Sequence, residues 1–196
     1  INAGTYVLEP VIFDGLPEGR LSFEREVFPH ALEQGRHLEG VVHRGVWEDL
    51  GTPERYRRGH RLALSGALSW PSVDAVPDRG EGVRVHPGAT VAADAVLTGP
   101  VLILDGSRID GGATVGPDVV LGEGCLLAPG VTISDSVLFD HVSVGSDVTA
   151  TGLLAGADVT IEERVRLGRG VVVGDTERVP SGTVLGDDAR LPEPRG

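Results

Sequence analysis

Asp49, Glu24 and Asn2 are the side chains whose types and settings best suit chemistry. Asp49 stands in Trp47-Glu48-Asp49-Leu50-Gly51-Thr52-Pro53. It is an acid in the turn ahead of a helix whose start is marked by Thr52 as the capping hydroxyl, Pro53 at the first helical position and Glu54 after it. Glu24 and Glu26 follow Ser22, another capping residue, and an acid in a first helical turn is favoured by the helix dipole whatever else it does. Asn2 lies in Ile1-Asn2-Ala3-Gly4-Thr5-Tyr6-Val7, where its amide can both donate and accept. Gly4 allows a close backbone approach, or serves packing alone. His86 and His141 are the histidines of the later part of the chain, and a histidine in a groove can act as a general base. His30, His37, His43 and His60 lack a metal-ligand spacing such as H-E-x-x-H and read as surface or core residues.

The elements that must carry these residues fall into two kinds. In residues 1–67, Thr5-Tyr6-Val7-Leu8 reads as a strand closed by Glu9-Pro10, and 13–19 has loop composition. A helix follows Ser22 and stops at Gly35. Two short strands are expected at 38–42 and 46–47. A second helix spans about 53–67 and carries Arg55, Arg57, Arg58 and Arg61 on its polar positions, with Gly59 as its one weak point. Trp47 reads as a core residue. Residues 71–82, rich in Pro, Asp and Gly, read as a linker.

From Val83 onward the period is six. Val85, Val91, Leu97, Ile103, Ile109, Val115, Leu121, Leu127 and Ile133 place an aliphatic residue at every sixth position. Two positions before each stands a small or apolar residue, from Val83 and Ala89 through Ser107, Cys125 and Val131. Neither an amphipathic helix nor a simple strand has this period, whereas a hexapeptide β-helix does. Three hexapeptides make a triangular coil of about 18 residues, and coils stack at ~4.8 Å with the aliphatic residues inward. The spacing drops by one between Phe139 and Val144 and again between Ala150 and Ala155, then resumes at Ile161, Leu167, Val173, Val179 and Leu185. Five to six coils are expected. Cys125 falls on an inward position, and the glycines of 111–124 belong to the corners.

The bulk numbers exclude several classes. A net charge of −12 speaks against a nucleic-acid or anionic-membrane partner, and no apolar run is long enough to span a membrane. The single cysteine cannot form an internal disulfide, which fits a cytoplasmic protein. The chain has no Met and no Lys and begins within an apolar stretch, so it reads as a fragment. Its Arg-for-Lys bias with abundant Ala, Gly, Val and Pro points to a GC-rich bacterial genome.

Three segments go beyond a generic α/β reading: Ile1-Asn2-Ala3-Gly4-Thr5-Tyr6-Val7, Ser22-Phe23-Glu24-Arg25-Glu26-Val27-Phe28-Pro29, and Trp47-Glu48-Asp49-Leu50-Gly51-Thr52-Pro53-Glu54-Arg55-Tyr56. In this order and ahead of a hexapeptide β-helix they resemble the sugar-nucleotide pyrophosphorylases, in particular the mannose-1-phosphate guanylyltransferase branch. These enzymes join a nucleoside triphosphate (NTP) and a sugar 1-phosphate into a nucleoside diphosphate sugar. The resemblance implies a mainly β fold: a left-handed parallel β-helix over 82–188, preceded by the C-terminal remnant of an α/β nucleotidyltransferase domain at 1–67 and a linker at 68–81, with a tail at 189–196. It implies Asp49 as a ligand of catalytic Mg²⁺, which bridges two anionic reactants and offsets their repulsion. It places Asn2, Gly4 and Glu24 in substrate binding, near the sugar. The family's Gly-rich segment with an Arg and a Lys, its other metal-binding Asp and its E-K-P-type sugar motif precede the N-A-G segment and are absent here. This chain alone is therefore expected to be inactive, with no catalytic residue of its own.

Two other readings stand beside this one. Left-handed β-helices also occur in acyltransferases, where a histidine between subunits acts on an acceptor amine or hydroxyl; His86 and His141 are the candidates. The third is structural or regulatory: a solenoid offers flat flanks and open ends, and a homo-oligomer is expected.

Overall fold

The computed structural model describes residues 2–192. They form two compact units that divide between Trp47 and Glu48. Expectation had put the boundary at 67; it comes earlier because the helix that follows Glu48 buries its apolar face on the solenoid.

The first unit is small and helical. Ser22 accepts a hydrogen bond from the Arg25 backbone N–H at 3.3 Å and opens a π-helical turn, Phe23–Val27, which runs into helix α1, Phe28–Glu33. The chain leaves α1 at Gly35, whose φ of +70° suits the glycine that ends a helix. Val27 and Ala31 bury against Ile12 of a short 3₁₀ turn, Pro10–Phe13. The strands expected at 5–8, 38–42 and 46–47 do not form among the described residues. A strand needs a neighbour for its N–H and C=O groups, and no ladder reaches these segments. Val7 and Val41 are consequently exposed, and so is Trp47, contrary to its reading as core.

The second unit is a parallel β-helix of the left-handed hexapeptide type. Its first face stacks Val83–Val85, Val101–Ile103, Val119–Leu121, Val137–Leu138, Leu154–Ala155, Val172–Val173 and Arg190–Leu191. The second stacks Thr90–Val91, Arg108–Ile109, Leu126–Leu127, Ser143–Val144, Thr160–Ile161 and Arg178–Val179. The third stacks Val96–Leu97, Thr114–Val115, Thr132–Ser134, Thr149–Thr151, Arg166–Arg169 and Val184–Leu185. Six complete coils result, and the segment expected to be a tail instead contributes Arg190–Leu191 as one more rung. The inward rows bury almost fully from Val101 to Val179, Cys125 included. The polar members Ser107 and Ser136 are satisfied. Ser107 Oγ donates to the Gly122 carbonyl at 2.7 Å and accepts from the Cys125 N–H at 3.1 Å. Ser136 Oγ donates to the Ser134 carbonyl at 2.6 Å and accepts from the Leu153 N–H at 2.9 Å.

The spacing slips once at each of two corners, and one lies elsewhere than expected. Leu138, not Phe139, points inward and pairs with Leu121 and Ala155, so the first lost residue falls between Ile133 and Leu138. Phe139 turns outward because the shortened corner at Asp135 advances the strand by one position. The second loss, between Ala150 and Ala155, is where the periodicity places it. Both fall at the corner that joins the third face to the first. The 18-residue coil returns at the same corner, through an irregularity where Arg166–Arg169 pairs with Thr149–Thr151.

Two helices cover the first face. Helix α2, Pro53–Leu64, starts as its sequence dictates: Thr52 Oγ1 accepts from the Arg55 N–H at 3.3 Å, and Pro53 takes the first position. The stretch expected to be a linker instead contains helix α3, Pro71–Asp74. Ala63, Leu64, Val73 and Val76 pack on the outward residues Leu102, Val120 and Val137. Arg84 holds the end of α3 by donating to the carbonyls of Val76, at 2.6 Å, and Val73, at 3.4 Å. Among the described residues no helix is long and apolar enough to cross a membrane.

Candidate functional site

In the first unit Asn2, Gly4 and Glu24, the residues that the resemblance places in substrate binding, come together. Asn2 Nδ2 donates to Glu24 Oε1 at 2.8 Å and to the Tyr6 hydroxyl at 2.6 Å, while its Oδ1 accepts from the Gly4 N–H at 2.9 Å. Gly4 has φ +72° and open space around it, so the turn needs glycine for its backbone angle and not for room. Glu24 is presented by the π turn, which Ser22 and Glu26 close reciprocally: the Ser22 N–H donates to Glu26 Oε2 at 2.7 Å. Tyr6 was not singled out by sequence reasoning. It packs edge-on against Phe28 at 5.0 Å and lies tilted over Phe23 at 5.3 Å, which fixes the hydroxyl that Asn2 reaches. Asn2 also lines an open, largely apolar groove of about 1060 Å³ between the extended segments 5–9 and 36–41.

Asp49 belongs to the second unit, ahead of α2. Its Oδ1 accepts from the Gly51 N–H at 3.0 Å, and Oδ2 pairs with Arg55 Nη1 at 2.5 Å. Four contacts tie this segment to α2. Besides Asp49–Arg55 and the Thr52 cap, Glu48 pairs with Arg58 at 3.3 Å, and the Leu50 side chain lies over Gly59. A Cβ at Gly59 would stand 2.7 Å from Leu50 Cδ2, so any larger residue there would displace the Leu50 side chain. Among the described residues no group of three or more His, Cys, Asp or Glu side chains is placed to hold a metal ion. Asp49 thus offers one carboxylate. One carboxylate would suit Mg²⁺, which commonly takes one or two from protein and completes its shell with water and substrate phosphate.

The other face of α2 is bound to the solenoid. Arg61 pairs with Asp135, and Arg57 Nε lies 3.7 Å from the second oxygen of the same carboxylate. The i, i+4 spacing of Arg57 and Arg61 was the available signal, because it places both on one side of the helix. Asp118, on the preceding turn of that corner, has its carboxyl pushed up by burial, a rise that Arg61 opposes and Asp135 reinforces. Farther along, Tyr56 stacks on Phe139 at 5.9 Å and packs against His60 at 4.7 Å. Burial lowers the His60 imidazole, and it raises the Tyr56 phenol. His141 occupies an exposed corner in the left-handed region, φ +60°. His86 Nδ1 lies 3.1 Å from Asp105 Oδ1 and accepts from the Gly88 N–H at 3.1 Å, a turn-forming role. Neither lines the groove of about 760 Å³ on the second face, whose walls include Arg108, Leu126, Ser143 and Arg178. Burial pushes the Cys125 thiol up to about 11, so it is no nucleophile.

Comparison with known proteins places these features. The family described as GMPPB C-terminal domain matches residues 97–194. The chain belongs to that family. The GMPPB C-terminal domain match covers the solenoid from its third strand onward, and sequence similarity extends further. A mannose-1-phosphate guanylyltransferase from Mycobacterium tuberculosis is 36% identical over 146 residues, covering 74% of this chain and 35% of that protein. A UTP–glucose-1-phosphate uridylyltransferase from Synechocystis sp. is 29% identical over 149 residues, 74% of this chain and 38% of its own length. The homologues are nucleotidyltransferases, and the chain spans about a third to a half of the length of the curated relatives it matches. Among solved structures, AntD, an N-acyltransferase from Bacillus cereus in complex with dTDP and coenzyme A, superposes with a TM-score of 0.50 at 17% identity, over 54% of this chain and 73% of that one. At that identity the likeness is one of fold.

Proposed function

We propose that this chain is the C-terminal part of a sugar-1-phosphate nucleotidyltransferase that makes a nucleoside diphosphate sugar of the GDP-mannose kind and pyrophosphate. The observation that carries the reading is the sequence similarity to guanylyl- and uridylyltransferases, which runs alongside the N-A-G, F-E-x-E-x-F-P and W-x-D-x-G-T-P segments. In the reaction an oxygen of the sugar phosphate attacks the α-phosphorus of the nucleoside triphosphate, and the bond to the bridging oxygen breaks to release pyrophosphate. Bound Mg²⁺ would supply charge neutralisation between the two anionic reactants. Asp49 would give that ion one carboxylate oxygen, released from Arg55. Asn2 would turn its amide to sugar hydroxyls, with Gly4 and Glu24 holding its position. The solenoid serves assembly or regulation: its first face is covered by α2 and α3, which leaves the other two for a second copy in a homo-oligomer.

The full-length protein is expected to release pyrophosphate from GTP and mannose 1-phosphate in the presence of Mg²⁺, and the 196-residue chain is expected to be inactive. Absence of pyrophosphate release from the full-length protein with every common nucleoside triphosphate, offered with mannose or glucose 1-phosphate, would remove the reading. Nucleotide-sugar formation by this chain alone would overturn its second half. Light scattering over a wide concentration range tests the oligomer; a monomer mass throughout counts against it.

A further inference from the structure

We infer that Asp135, on a corner of the solenoid, is a positioning residue for Asp49, so that the β-helix forms part of the scaffold of the metal site. The inference rests on the reading of Asp49 as a Mg²⁺ ligand.

The argument follows a continuous set of contacts. Asp49 is tied to α2 by Arg55, and its neighbours by Glu48–Arg58, Leu50 over Gly59 and the Thr52 cap. The other side of α2 meets the solenoid where both one-residue deletions fall. At these shortened corners single residues make the turn, Asp135 at φ +46° and Gly152 at φ +71°. The Arg57 guanidinium lies over this line: its Cζ is 3.6 Å from a Cβ built on Gly152, and Nη2 is 3.9 Å from one built on Gly170. Both are ordinary van der Waals distances, so the guanidinium lies flat against the corner.

Arg57 is 12% exposed, and its Nε and Nη1 are buried without a hydrogen-bond partner among the described residues. A cation held that way depends on the nearest carboxylate, and a buried charge left unpaired is strongly unfavourable. Asp135 is that carboxylate, and it also pairs with Arg61 one helical turn on. One acid thus anchors two arginines of the helix that leads from Asp49. Ala63 and Leu64 bury fully at the far end of α2, and nearer Asp49 only the partly buried Tyr56 packs against the same cluster. The near end, toward Asp49, is held by charge, Gly-lined contact and the Tyr56–Phe139 stack.

The test uses Asp135→Asn, which keeps shape and removes charge, and Asp135→Glu, which keeps the charge. Val179→Ala, a cavity in a distant coil, is the control for general destabilisation. In this chain, hydrogen exchange of the amides of 48–58 should quicken at least about tenfold in Asp135→Asn while the solenoid strands stay protected. In the full-length protein, Asp135→Asn should raise the Mg²⁺ concentration for half-maximal rate and lower kcat/KM by about 10- to 100-fold, the scale of a misplacement near 1 Å. Asp135→Glu should recover most of it. Val179→Ala should lower Tm and leave the Mg²⁺ dependence unchanged. Unaltered Mg²⁺ dependence in Asp135→Asn, or an equal shift in Val179→Ala, overturns the inference while the proposed reaction stands. A wild-type full-length protein without nucleotidyl transfer removes both, and is recognised before any variant is made.

Discussion

Replacing Gly59 by alanine should separate stability from function. Glycine in mid-helix costs about 0.8–1.0 kcal/mol relative to alanine, so α2 gains that much from the change. Against it stands the contact with Leu50, whose Cδ2 would lie 2.7 Å from the new methyl. Carbon atoms prefer about 3.5–4.0 Å, so the Leu50 methyl must retreat by about 1 Å. Leu50 is 47% exposed and the clashing atom is the far end of its side chain, so retreat into solvent costs only a few tenths of a kcal/mol. The net effect is a gain of about 0.5 kcal/mol, or about 1–2 °C in Tm for a unit of this size. With Leu50 displaced into solvent, the segment that carries Asp49 loses one of the four contacts that tie it to α2. The full-length protein carrying the substitution should therefore be slightly more stable and need more Mg²⁺, with a kcat/KM lower by about tenfold. Calorimetry on this chain and a pyrophosphate-release assay at varied Mg²⁺ on the full-length protein read the two effects. A loss of stability beyond about 1 kcal/mol would mean that Leu50 is pinned and that the argument from its exposure fails. Higher stability with unchanged Mg²⁺ dependence would break the link from Leu50 to Asp49.

Ser107→Ala should cost about 1–3 kcal/mol in urea unfolding, because the buried Cys125 N–H and Gly122 carbonyl both lose the hydroxyl between them. Cys125 should resist a thiol-specific disulfide reagent at neutral pH until the chain unfolds, since it is buried and its thiol is held up to about 11. The folded protein keeps that proton above the ordinary value of 9.0, where the unfolded chain gives it up. Stability is therefore whole below pH 9 and falls between 9 and 11 by about 1.4 kcal/mol per unit, a slope that Cys125→Ala should remove. For His60 the sign is opposite: its imidazole is held below the ordinary 6.5, the unfolded chain takes the proton first, and stability present above that value declines as pH falls through it. His60→Gln should reduce the acid sensitivity seen by the fluorescence of Trp70, the N-terminal neighbour of α3, and an unchanged acid limb would show that the imidazole is solvated in the folded state.

The solenoid was legible from sequence because its rule is local and repeated. An aliphatic residue at each sixth position has one reading, and every such position from Ile103 to Ile133 is buried. The helix starts were equally legible, since Ser22 and Thr52 satisfy backbone donors within three residues of themselves. What escaped was set by contacts distant in sequence. Residues 71–82 have linker composition, yet Val73 and Val76 find Leu102 and Val120 beneath them. Residues 5–8 have strand composition, and strand formation depends on a partner that composition does not supply. Phe139 fits the period of six as well as Leu138 does; only the turn at Asp135 decides which of them faces in. Within the candidate site, the cluster of Asn2, Gly4 and Glu24 was foreseeable as a set of residues, but the hydroxyl of Tyr6 that completes it was not.

The two shortened coils bear on how such a fold tolerates change in length. Loss of one residue inside a strand would turn every later side chain to the opposite face. Lost at the corner between the third and first faces, it is absorbed there, and the inward row continues through Leu138 and Ala155 as though nothing were missing. That corner works as an expansion joint. Variation in length among relatives of this solenoid should collect at that edge, and where it adds residues opposite Arg57 it should come with a different side chain at that position of α2.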